Sequence, residues 1–159
     1  MARVTLPDIV DAVADKLRLA TVIMPGELVA RAFTVQSYDE LTEAIQDLPT
    51  IQVYPELEQV DVNGLTDRTT LKVGTQHAQV VLTIRTFARQ RSHLADDMAA
   101  AVKCWDMVDK VLEDVSTDCL PFFDLVGVRA FNWTATFTPF QYGNVTYAGV
   151  EHTLNLEVY

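Results

Sequence analysis

Two runs of strict alternation, joined by a short turn, occupy the end of the chain. Between residues 126 and 138, Phe131, Trp133 and Phe137 lie on one side, and Asn132, Thr134, Thr136 and Thr138 on the other. Between 147 and 158, Val150, His152, Leu154, Leu156 and Val158 alternate with Glu151, Thr153, Asn155 and Glu157. Tyr142-Gly143-Asn144 supplies the turn. Strands joined so closely run antiparallel, and clean alternation gives each one covered and one wet face. The rest of the chain must therefore provide a cover for one side of that sheet.

The best cover is a helix predicted from about Ser92 to Val115. Leu94, Met98, Ala101, Val102, Trp105, Val108, Leu112 and Val115 recur by threes and fours, and acidic residues fill the opposite side. A second helix is predicted over 7–22, opened by Pro7 and carried by Ile9, Val10, Val13, Leu17 and Ala20 until Pro25-Gly26. Residues 28–36 are strand-like. Ser37 and Glu40 form a capping box for a short helix ending at Pro49. A strand is expected over 50–62, where Pro55 implies an edge or a bulge. Another runs over Ala78, Val80, Leu82 and Ile84. The order α-β-α-β-β-α-β-β describes one α+β domain over residues 1–159. Its mainly antiparallel sheet has helices on one face.

The chain's 159 residues suffice for one core without staples. The net charge is −10, from 12 basic and 22 acidic residues, which disfavours adhesion to phosphate backbones and anionic membranes. No apolar run reaches membrane-spanning length. Asp8, Asp11 and Asp15 break up any signal-peptide core near the N-terminus, and two cysteines, Cys104 and Cys119, form no disulfide framework. The expectation is a protein made and kept in a cytosol.

Catalytic and metal patterns fail one by one. Cys104 lies near Lys103, Asp106 and Asp109 and reads as a half-buried structural thiol. His77, His93 and His152 form no ligand pair, and His152 reads as a hydrogen-bonded core or interface residue. Asp61-Val62-Asn63-Gly64 begins like a calcium loop, but its glycine comes two positions early and Lys72 stands where the bidentate glutamate belongs. Asp96-Asp97 and Glu113-Asp114 read as solvated carboxylates on a helix face. No catalytic residue, cofactor or metal is expected. Two features go unused by a simple monomer. One is the wet sheet face with Tyr54, Tyr147 and Arg129 beside Phe131, types enriched at interfaces. The other is the polar segment 65–76, carrying Asp67, Arg68, Leu71, Lys72 and Val73.

Three stretches resemble the tail terminator (tail completion) proteins of long-tailed bacteriophages and related tail-like particles. They are Leu48-Pro49-Thr50-Ile51-Gln52-Val53-Tyr54-Pro55-Glu56, the Val80–Phe87 strand feeding the Trp105 helix, and the ending from Tyr147 to Leu156. The resemblance implies an α+β subunit of a homo-oligomeric, usually hexameric, ring. Such a ring sits on the last ring of tail-tube protein, stops polymerisation, and offers a surface to head-completion or stopper proteins. DNA passes through its lumen without specific binding, and the family has no catalytic residues to carry over. The expected location is the virion neck. The alternatives are a head-closure, stopper or other neck protein, a tube subunit, a monomeric adaptor, and a small cytosolic enzyme using Cys104. If segment 65–76 reaches a neighbouring subunit or the tube, deleting residues 66–75 should abolish ring formation or tube capping. Normal capping by the shortened chain, read by electron microscopy, would exclude that role.

Overall fold

The computed structural model describes residues 6–37, 48–55, 78–118 and 128–158. The elements are α1 (Leu6–Arg18), β1 (Thr21–Val22), β2 (Arg31–Ala32), β3 (Thr34–Gln36), β4 (Thr50–Pro55), β5 (Ala78–Gln90), α2 (Leu94–Asp118), β6 (Val128–Tyr142) and β7 (Val145–Val158). Strands β3 to β7 form one sheet of order β3-β4-β5-β7-β6, and β1 and β2 form a separate small hairpin. Pairing is antiparallel throughout except between β3 and β4. The fold is α+β, as the alternation predicts. The short helix expected after Ser37, the strand beyond Pro55 and segment 65–76 lie outside the described residues.

The C-terminal hairpin follows from its pattern. Gly143 sits at φ +64, a conformation that side chains disfavour, and turns the chain between Tyr142 and Val145. From there β6 and β7 stay paired to Val128 and Val158, with one irregularity between Ala130 and Asn132. Strand β7 also pairs with β5 along its length, so it lies inside the sheet. Its buried residues Val150, His152, Leu154 and Leu156 all point toward the helices. Gly149 has a different reason. A Cβ there would collide with the Thr86 carbonyl oxygen and the Phe140 ring.

Helices α1 and α2 cover one face. Ile9, Val10, Val13, Ala14 and Leu17 pack over β3 and β4, while Ala100, Cys104, Val108 and Leu112 pack over β5 and β7. Each fully buried aliphatic side chain stabilises the fold by roughly 1.5–3 kcal/mol relative to exposure.

Several boundaries differ from expectation. Helix α1 stops at Arg18 rather than 22, because the β-branched Thr21-Val22-Ile23 run favours the extended chain that becomes β1. The stretch 28–36 is no single strand. Buried Phe33 separates β2, which pairs with β1, from β3, which pairs with β4. Pro55 does occupy a locally open position. Strand β3 pairs with β4 only as far as Gln52, so Pro55 answers to β5 alone among the described residues.

The largest difference lies on α2. The buried line is Asp97, Ala100, Ala101, Cys104, Val108 and Leu112. Leu94 is 73% exposed, and Met98 and Val102 are each 42% exposed. The helix is thus rolled away from the expected stripe. Asp97, expected to be solvated, is buried instead. Its carboxylate accepts the Ser92 backbone N–H at 3.1 Å and meets Arg89 at 3.4 Å, holding the helix start to the end of β5.

His152 is fully buried, and neither ring nitrogen finds a hydrogen-bond partner among the described residues. That corrects the expectation of a hydrogen-bonded histidine. Burial pushes its pKa down to about 4, with Asp109 pulling weakly the other way. The folded chain therefore keeps this ring neutral where the unfolded chain, near its ordinary 6.5, takes up a proton. The stability this contributes is present above pH 6.5 and is lost as pH falls toward 4. Between pH 7.5 and 5 the loss amounts to about 2 kcal/mol. His152→Leu should flatten the fall in unfolding free energy over that window, measured by urea titration. An unchanged slope would assign it to other groups.

Candidate interaction surfaces

The sheet face turned away from the helices is built from the alternate positions of β4, β5, β7 and β6. It is wet only along one half. Asn132, Thr134 and Thr136 on β6 are exposed, and Glu151, Thr153 and Asn155 on β7 are half-buried. Asn155 donates its side-chain amide to Asn132 across the pair. Along β4 and β5 the same face is buried at Thr50, Gln52 and Thr83, and Gln52 donates to the Gln36 side chain at 3.1 Å. The expectation of one wholly wet face is therefore corrected. Small and amide side chains pair with one another there and lose contact with water.

At the centre of this face stands Arg85. Its Nε and Nη2 donate to one carboxylate oxygen of Glu151 at 3.2 and 3.0 Å. The guanidinium lies 4.9 Å from the centre of the Phe140 ring and 5.5 Å from that of Tyr54. Phe140 and Tyr147 pack in turn on Phe87, at 5.2 and 5.6 Å between ring centres. Tyr147 is accordingly buried and belongs to this cluster. Tyr54 is half-buried and packs with Arg85 instead of standing free. Arg129 stands opposite Glu157 in the β6–β7 register, and nothing further is described of its side chain. Asp67, Arg68, Leu71, Lys72 and Val73 lie outside the described residues. Of the predicted contact set, Tyr54 alone has a described side chain.

Two apolar surfaces escaped the sequence reading. The first is the bare flank of α2. Leu94, Met98 and Ala101 form one wall of an open groove, and Phe137 and Pro139 of β6 form the other, with Arg91 at the rim. Deeper along the same flank, the rings of Trp105 and Phe137 lie 6.0 Å apart, and Trp133 donates its indole N–H to Asp109 at 2.7 Å. The signal was present in the sequence. Apolar residues from 94 to 112 cover an arc too wide for one sheet to bury. The second surface is the β1–β2 hairpin. Ala20, Val22 and Met24 face the core, while Leu19 and Ile23 face out and Leu28 is 97% exposed at the loop. Patches of this kind on folded chains mark contacts.

The Cys104 thiol is shielded by contrast. Cys104 is fully buried, more so than the structural thiol expected, and burial pushes its pKa up to about 12. Roughly one thiol in 10⁵ is then ionised at pH 7, far too few for a nucleophile. Among the described residues no three His, Cys, Asp or Glu side chains converge as metal ligands. No helix among them is long and apolar enough to cross a membrane. No protein-family model matches the chain, and no curated protein matches it either.

The Arg85 cluster gives a direct test. A third-exposed ion pair and a stacked guanidinium together contribute about 1–2 kcal/mol. Arg85→Ala should lower the unfolding free energy by that amount in chemical denaturation. Arg85→Lys should recover part of it, because an ammonium cannot fork onto Glu151 while stacking on two rings. Full recovery by Arg85→Lys would mean that the fork and the stacking contribute nothing beyond the charge.

Proposed function

We propose that this chain is a non-catalytic virion subunit that caps the tail tube of a long-tailed phage or tail-like particle as a ring. In that role it ends tube polymerisation and presents a surface to the head-joining proteins. One observation carries the reading. The described residues of the three stretches that resemble tail terminators, 48–55, 80–87 and 147–156, lead into and form β4 and run along β5 and β7, consecutive neighbours in one sheet. The Trp105 helix lies over β5 and β7 as α2. The resemblance therefore concerns one continuous piece of the fold.

The physical properties suit such a part. A cap must bind laterally to copies of itself and axially to two unlike partners, which calls for exposed apolar surface and not for a reactive pocket. The bare flank of α2 and the β1–β2 hairpin supply that surface. The net charge of −10 suits a lumen through which DNA must slide without adhering. The buried Cys104 thiol removes the main support for an enzyme reading.

Adding the purified protein to polymerising tail-tube protein of the same particle should shorten the tubes and place extra density at one tip, seen by negative-stain microscopy. Tubes of unchanged length with bare tips would sink the reading.

A further inference from the structure

Two apolar surfaces on one chain need occupants, and they differ in shape. The β1–β2 hairpin projects Ile23, Leu28 and Val29 outward. The groove between α2 and β6 is a recess, walled by Met98 and Phe137. They also sit on opposite flanks of α2. The hairpin approaches the helix at Ala100, near the end of β5, on the side where α1, β3 and β4 lie. The groove opens beside Ala101 toward β6, the far edge of the sheet.

Charge follows the same division. The hairpin loop carries Glu27, whose carboxylate pairs at 2.6 Å with Arg31 of the same hairpin. The groove rim carries Arg91, which meets no carboxylate among the described residues, while Asp97 in the groove wall is engaged by Arg89. An exposed pair such as Glu27–Arg31 exchanges partners readily.

We infer that the hairpin of one copy seats in the α2–β6 groove of the next, with Leu28 against Met98 and Phe137 and Glu27 facing Arg91. The occupant is a second copy of this chain, because an apolar projection and an apolar recess stand on the same chain and Glu27 at the one is opposite in charge to Arg91 at the other. Each copy offers one of each on opposite flanks, so the contact is head-to-tail. Contacts of that kind close into a ring where the rotation between copies allows it and otherwise continue as a filament. The inference rests on the ring reading for closure, and it names the surfaces that make the ring.

Leu28→Asp and Met98→Asp change exposed positions and should leave secondary structure and melting unaltered, checked by circular dichroism. Each variant alone should sediment as a monomer under conditions where the native chain associates. An equimolar mixture should form one-to-one dimers and nothing larger. Only one intact hairpin and one intact groove remain there, on different chains. Glu27→Arg should weaken association of the otherwise native chain, and adding Arg91→Glu to the same chain should restore it. Variants that keep the native mass, a mixture that stays monomeric, or a native chain that is monomeric at roughly millimolar concentration would each overturn the inference. Failure of the second charge change to restore association would overturn the Glu27–Arg91 contact. Tube length, read separately, judges the capping role. A ring that survives both aspartate changes and still caps tubes would leave that role standing and this contact refuted.

Discussion

Strand β7 fixes where everything else lies. It pairs with β5 on one side and β6 on the other, and its helix-facing residues form the floor on which α2 rests. A slip of one residue would turn Glu151 and Thr153 into the core and send Leu154 to the opposite face. That exchange buries a carboxylate without a partner, which folded chains do not tolerate. Three local features support the register. The Gly143 turn fixes one end of the hairpin, the close approach over Gly149 admits no side chain, and Arg85 joins β5 to β7 through Glu151.

How much of this was readable depended on whether a residue's fate is decided locally. The β6–β7 hairpin was legible because an alternating pattern, a turn and an antiparallel pair are one local statement. The buried side of α1 was legible because one narrow stripe has only one way to face inward. The rotation of α2 was not. Its apolar arc runs almost unbroken from Leu94 through Ala101 and Val102 to Trp105, so the strands beneath choose which part to cover. They chose the side with Ala100 and Cys104, whose small side chains let helix and sheet approach closely. The split at Phe33 was hidden for a related reason. A strand-like composition does not say that its two halves pair with different neighbours.

The candidate surfaces divide the same way. Tyr54 could be assigned to a sheet face from alternation alone. Its place beside Arg85 depends on β5 arriving from a distant part of the chain. The hairpin's exposure was invisible because Leu28 and Val29 look like core residues, and only the tertiary fold leaves them outside. The ion pairs add a further point about charge. Arg18, Arg31, Arg85 and Arg89 each lie against a carboxylate. These arginines are locally compensated, so the acidic excess governs the long-range field of the molecule.

The burial of Cys104 has a consequence for how the fold responds to oxidants. Oxidants attack the thiolate form, and a thiol held so far from ionisation inside packed aliphatic side chains offers them almost none. Its sulfur neither exchanges with disulfides nor climbs to sulfenic acid while the core stays closed. At this position the fold is the same object under reducing and oxidising conditions, and its shape carries no record of the compartment in which it was made.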